Sequence, residues 1–411
     1  MTRSRPFLSL MLADFIARSA YQMGKTPLLP IFAASLGASG AWLGMIVSIS
    51  TITGLFLKPL FGILSDSWGR RMWLFVGAGF FVFVPFLYRF ISTPDQLLLL
   101  RLLHGTATAI YGPVTLAYIA ELARGGSLAA GIGTFEMARS GGYIVGPLLG
   151  GWLLLSLAAV DVFTVIGLLS CAMFLPLLWL PPTRKVSVLP GETSCAQAKK
   201  AEGPPSKKGL GGAWTMPALN LRAALTEAAR LPAVWVTGGL EAAAFVALYT
   251  LKAFLPIFAL EAGVSVALVG LFFSLSEAVH VLGKPVCGRL ADKLGYLRAI
   301  SLGMLLLALS LPLARSLDSG ALFLLPAGLL GLAQALVFPA AKALIADDIS
   351  ADNLGAGMGL LGALQNVGKV AGPVLGGFAI GALGYSGALL ALSGMLIAGT
   401  LALWLWSRRR K

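Results

Sequence analysis

The chain has 411 residues, of which 57% are apolar and 12% charged, with a mean hydropathy of +0.86. A soluble globular chain runs about 25% charged, so half that share argues against a chain wetted on all sides. Disorder is excluded despite 50 glycines, because disorder needs low hydrophobicity. A net charge of +14 leaves nucleic acid open until the charges are placed. Cys171, Cys195 and Cys287 form no C-x-x-C, and His104 and His280 are too few for a His-built metal site.

Taken in order, the apolar stretches predict spans over 8–33, 41–65, 72–93, 96–122, 128–156 and 159–180, then 233–260, 267–291, 297–317, 319–347, 354–383 and 386–407. The fold class expected is an all-α membrane protein of twelve transmembrane helices. The basic head of the chain resembles a signal peptide, but Asp14 and Arg18 interrupt its apolar run, so it reads as the first span. Residues 181–218 are a linker rich in Pro, Gly, Ser and Lys, followed from Asn220 by a short helix suited to a membrane surface.

The breaks between spans test the topology. Arg3, Arg5, Arg70, Arg71, Arg124, Lys293, Arg298, the central loop's lysines and arginines and the basic tail Arg408–Lys411 fall on one side. Arg89 and Arg315 fall on the other. Basic loops mark the cytoplasmic side, so both termini are expected there, in a multi-pass protein of the cell membrane. The positive excess is then topology and lipid contact, and no nucleic-acid partner is expected.

A shift of 226 residues lays the second half on the first. Leu29-Pro30-Ile31-Phe32-Ala33 falls on Leu255-Pro256-Ile257-Phe258-Ala259, and Gly44 on Gly270. Lys58-Pro59 falls on Lys284-Pro285, and Gly146-Pro147 on Gly372-Pro373. The expected domains are therefore a six-helix bundle over 1–180, a linker over 181–232 and a second bundle over 233–411. Two parallel six-span halves are a transporter skeleton, because a site between similar halves can open to either side by rocking.

After span 2 the chain reads Gly62-Ile63-Leu64-Ser65-Asp66-Ser67-Trp68-Gly69-Arg70-Arg71, with a second copy at Gly288–Gly295 that includes Asp292. This resembles the cytoplasmic signature of the major facilitator superfamily, although many members carry Arg where this chain has Ser67. The resemblance implies a twelve-helix bundle and a latch in which Asp66 holds the halves together, with Arg70 or Arg71 pairing with Glu121. Span 4 opens Arg101-Leu102-Leu103-His104-Gly105, similar to an R-x-x-x-G signature that the family associates with proton coupling. Span 5 carries Gly142, Gly146, Pro147, Gly150 and Gly151, which resembles a pattern of antiporting, mostly drug-exporting members. Glycine duplication for helix packing explains that pattern as well.

Several charges remain inside spans, where they are costly and therefore functional candidates. Asp14, Arg18, Tyr21 and Lys25 lie on one face of span 1, with Asp14 and Arg18 placed to pair. Ser19-x-x-x-x-Gly24-Lys25-Thr26 is a near miss to a phosphate loop lacking its first glycine, so nucleotide binding is discounted. Glu136 and Arg139 are three apart on span 5; Glu277, His280 and Lys284 follow one another on span 8; Glu241 and Lys252 share a face of span 7. Glu241 and Asp14 rank first as proton carriers, then Glu277 and Glu136; for each, a structural ion pair is the rival. Lys369 completes a cationic wall with Arg139, Arg18 and Lys252, pointing to an anionic or zwitterionic substrate.

The expected function is proton-coupled secondary transport, with efflux of a small organic solute favoured over uptake by symport or facilitated diffusion. A lipid-moving or sensory protein on this scaffold is the lesser alternative. The chain has no Ser/His/Asp cluster of an enzyme, and neither cofactor nor metal is expected. Its partners are the solute, protons and the bilayer, and a functional monomer is expected.

Overall fold

Backbone polar groups in lipid must be bonded within their own segment, which leaves helices or closed barrels. The computed structural model describes residues 5–122, 128–181, 226, 229–314, 320–349 and 354–409; side chains at 63, 66–68, 128–130, 321, 348, 354–355, 406–407 and 409 lie outside that description. Among the described residues every regular element is a helix.

The first half contains Gly40–Trp68 as span 2, Arg70–Leu87 as span 3, Pro94–Leu122 as span 4 and Leu128–Leu153 as span 5. Span 6 is Ala159–Cys171 continued by Phe174–Leu178. In the second half, spans 7 to 10 are Pro232–Glu261, Val266–Leu294, Tyr296–Leu313 and Leu325–Asp348. Spans 11 and 12 form one long element, Leu354–Arg409, bent at Gly384, where φ is 70°. Span 1 is broken: Arg5–Met23 and Leu29–Ser35 are joined through Gly24–Leu28, where Thr26 is extended at φ −147°, ψ 121°. Its repeat partner, span 7, runs unbroken.

Nine helices among the described residues are long and apolar enough to cross a membrane, one of them covering spans 11 and 12. The two spans outside that group are 1 and 5. They carry Asp14, Arg18 and Lys25, and Glu136 and Arg139, so polarity concentrates where the helices face one another. Large apolar side chains such as Phe56, Phe83, Trp152 and Leu282 are exposed on the outside, as a lipid-facing surface requires.

The repeat is visible in backbone conformation. Gly69 (φ 95°) and Gly295 (φ 87°) make the same turn between spans 2 and 3 and between spans 8 and 9, in a region that L side chains rarely adopt. Each motif thus needs its glycine for the backbone, whatever the neighbouring charges do.

Within each half, a glycine stripe lets two helices touch. Added side-chain atoms at Gly142, Gly146 and Gly150 would collide with span 1 at Arg18, Gln22 and Met23. At Gly368, Gly372 and Gly376 they would collide with span 7 at Ala242, Val246 and Thr250. Between halves the contacts repeat in mirror fashion: Gly44 lies against Pro373 and Val374 of span 11, and Gly270 against Pro147 and Gly151. The Ser48 hydroxyl donates to the Val370 carbonyl at 2.8 Å, and the Ser274 hydroxyl to the Ile144 carbonyl at 2.6 Å. Both donors and both acceptors are related by the 226-residue shift. This seam lies toward the end of the bundle opposite the one carrying the described terminal residues, here called the far end and the terminal end.

Most of the central loop lies outside the described residues, and of the surface helix expected after Asn220, residues 226, 229 and 230 are described and helical. Where the chain re-enters, the Trp235 indole donates to the Ala229 carbonyl at 2.7 Å.

Candidate functional site

Spans 1 and 5 of one half and spans 7, 8, 10 and 11 of the other enclose a cavity of about 340 Å³. The break in span 1 brings Lys25 and Thr26 to its wall, and span 5 adds Glu136, Arg139 and Tyr143. The second half adds Tyr249, Lys252, Glu277, His280, Lys284 and Lys369, with Phe245 and Phe338. Those two rings are stacked, with centroids 4.7 Å apart and planes 6° apart. The seam closes the far end, whereas Glu136 and Lys284 are exposed, so the cavity opens toward the terminal end.

Two ion networks occupy opposite walls. Asp14 is wholly buried and binds the Arg139 guanidinium through two hydrogen bonds, 2.9 Å from Nε and 3.2 Å from Nη2. Arg139 also donates to Glu136 at 2.8 Å and to Thr115 at 3.2 Å. Arg18, the expected partner of Asp14, is more distant, with Nε 3.7 Å from the carboxylate. A guanidinium fork meeting a carboxylate edge-on is the stronger geometry, so Asp14 ties span 1 to span 5. Across the cavity, Lys252 donates to Glu277 at 2.9 Å, and His280 Nδ1 stands 3.4 Å from the same carboxylate.

Lys252 and Glu241 do share a helical face, but eleven residues put them about 16 Å apart along the axis. Glu241 is wholly buried and receives a hydrogen bond from the Gln365 amide at 2.7 Å. Its other oxygen, Oε1, has no hydrogen-bond partner among the described residues. Gln365 was not among the residues singled out from the sequence; its position seven residues before Gly372 on span 11 was the available signal.

Arg101 also sits apart from the cavity wall. It is 1% exposed, donates to the Ser50 hydroxyl at 2.7 Å and approaches Tyr88 at 3.5 Å and His104 at 3.4 Å. His104 is bonded to the Tyr88 hydroxyl at 2.9 Å and meets the Tyr21 ring edge-on. The arginine is thus anchored by hydroxyl groups and an imidazole within the first half. Span 2 contributes Ser50 here and Ser48 to the seam two residues earlier.

At the terminal end, Arg70 pairs with Glu121 at 3.0 Å and donates to the Ala117 carbonyl at 2.7 Å. Arg71 instead donates to the Leu178 carbonyl at 3.2 Å. Gly62 sits in span 2 with open space around it, Asp292 is exposed at the end of span 8, and the side chain of Asp66 lies outside the described residues. Of the candidates, Glu136, Arg139, Glu277, His280 and Lys369 line the cavity. Asp14 stands behind Arg139, while Arg18 and Tyr21 are buried along span 1.

A repeated bundle of helices about a charged cavity, closed at one end by a close-packed seam, is the build of a secondary transporter. The chain belongs to the Major Facilitator Superfamily, whose family model matches residues 10–251 and 237–411. It is a multi-pass membrane transporter and not an enzyme. It is 23% identical over 359 residues to an uncharacterised MFS-type transporter of Methanocaldococcus jannaschii, covering 87% of each chain. Over a shorter stretch of 127 residues it is 32% identical to multidrug resistance protein 1 of Bacillus subtilis, 31% of this chain and 33% of that one. The same length is 25% identical to the quinolone resistance protein NorA of Staphylococcus aureus, again 31% and 33%. Among solved structures, the nucleoside transporter NupG matches with a TM-score of 0.78 at 16% identity, covering 97% of this chain and 98% of that one. A bacterial homologue of the lysosomal transporter Spinster matches at 0.68 and 17%, covering 98% and 96%.

Proposed function

We propose that this transporter couples export of a small organic solute from the cytoplasm to proton entry, and that Glu241 carries the proton. The observation behind the coupling is the carboxyl of Glu241, buried, held by one neutral amide and with its second oxygen unpartnered among the described residues. A charged carboxylate in that setting is costly, whereas a neutral acid is tolerated. Protonation would therefore favour one packing of spans 7 and 11 and deprotonation another. The excess of basic residues in the loops at the terminal end supports a cytoplasmic position for that end, and on this reading the cavity is loaded from inside and emptied when the seam parts. The glycine pattern of span 5 and the drug-resistance relatives over part of the chain support export. Asp66 and Asp292, with Arg70 and Glu121, would latch the terminal end in the opposite state.

Proteoliposomes carrying a trapped pH-sensitive dye test this reading. Addition of a transported solute should move protons, and Glu241→Gln should abolish accumulation driven by a pH gradient while leaving downhill exchange. Full accumulation by that variant, or solute-independent dye response in the parent, would refute the assignment. Inside-out vesicles distinguish export from uptake: under export, an acid interior drives solute into them.

A further inference from the structure

Five cations and two carboxylates line the cavity. Both carboxylates are taken, Glu136 by Arg139 and Glu277 by Lys252. Behind that wall Arg139 is further shared with Asp14, which also faces Arg18. Lys25, Lys284 and Lys369 remain, and no carboxylate lies within ion-pair distance of any of them among the described residues. They come from spans 1, 8 and 11, so both halves contribute. Two of them rest on aromatic faces: Lys25 Nζ is 5.2 Å from the Tyr249 centroid, and Lys369 Nζ is 4.4 Å from that of Phe245. Three ammonium groups with no carboxylate at ion-pair distance among the described residues, set around a partly dehydrated space, repel cations and attract an anion.

From this arrangement we infer that the substrate is an organic anion with an aromatic ring, its acidic group held by Lys25 and Lys369, with Lys284 adding positive charge at the exposed mouth, and its ring against the Phe245–Phe338 stack. The inference rests on the transporter reading and sharpens it by naming the substrate class. The cavity volume falls within the range of small-molecule sites, and flat rings packed beside a cation offer both an apolar face and a charge anchor. An anion bridging lysines of both halves would also draw the bundles together, as alternating access needs. A lipophilic cation would meet three like charges, and both carboxylates among the described lining residues are already paired.

Calorimetric titration of the purified full chain in nanodiscs of zwitterionic lipid tests this, with naphthalene-1-sulfonate, 1-naphthyl phosphate and the matched cation 1-naphthylmethylammonium as probes. The anions should bind and the cation should not. Lys369→Gln and Lys25→Gln should each weaken anion binding about tenfold, and Lys369→Arg should restore most of it. Preference for the cation, absence of binding by both anions at millimolar concentration, or affinity unchanged in both glutamine variants would overturn the inference. Repeating the titration in nanodiscs of anionic lipid separates sources: a soluble anion keeps its affinity, whereas loss of binding through competition would assign the site to lipid headgroups and overturn the soluble-substrate assignment. Failure here is separable from failure of the coupling mechanism, because anion binding by the parent chain without solute-driven proton movement would refute the coupling alone, whereas proton movement driven by a cationic solute with no anion binding would refute the substrate class alone.

Discussion

Replacing Ser48 and Ser274 together by alanine should loosen the far-end seam. Each hydroxyl donates across the halves to a carbonyl of the facing helix, at 2.8 Å from Ser48 and 2.6 Å from Ser274. Both acceptors lie inside helices, where a carbonyl keeps its own helical partner, so deletion leaves no orphaned group. The loss per site is then the net value of a hydrogen bond, about 0.5–1.5 kcal/mol. The sites lie on separate helix pairs, so the losses should add to about 1–3 kcal/mol, a change of about 5- to 150-fold in the equilibrium. A minor state held at about 1% in the parent would rise to about 5–60%. Spin labels at Ser39 and Ala382, both exposed at the far end, would report it as a longer distance component, in a chain freed of Cys171, Cys195 and Cys287. Each single variant should give about half the logarithmic shift. If the double variant folds and its distance distribution matches the parent's, the hydroxyls do not hold the seam.

Asp14→Asn should cost about 3–5 kcal/mol in reversible denaturant unfolding, because it leaves the Arg139 fork beside Arg18 without its buried anion; a loss below about 1 kcal/mol would show that water replaces the carboxylate. The Arg70–Glu121 pair should give a coupling energy below about 1 kcal/mol in a double-mutant cycle, since the Glu121 side chain is 38% exposed. Gly146→Val should abolish a monodisperse elution peak, because its first added carbon already meets Gln22 and the Ser19 carbonyl. Ser50→Ala should lower thermal stability more than Ser301→Ala, because Ser50 accepts from a buried guanidinium whereas Ser301 donates to its own helix.

The span plan and the repeat are legible in sequence because they depend on residue type at fixed spacing. Gly69 and Gly295 show why: their turns accept little else, so the register survives divergence. Partners of buried charges are less legible, since spacing along one helix says nothing about the helix opposite. Asp14 pairs i, i+4 with Arg18 on paper, yet its close partner is Arg139, 125 positions away. Glu241 and Lys252 share a face but not a depth, and each finds its hydrogen-bond partner on another span. The break in span 1 had its signal in Gly24 and Pro27, which bracket the Lys25-Thr26 pair of the near miss to a phosphate loop. The paired serines were equally available, since Ser48 falls on Ser274 under the shift that aligns the glycines.

The far-end seam is made of backbone carbonyls, glycines, prolines and two hydroxyls, with none of the groups that surround the cavity. On the substrate assignment proposed above, changes at Lys25, Lys369 or Phe338 would rewrite what the protein carries without rewriting how it closes. Cargo and gate would then be separate heritable modules, and a laboratory seeking new cargo would mutate the lining while leaving the glycine–serine contacts alone.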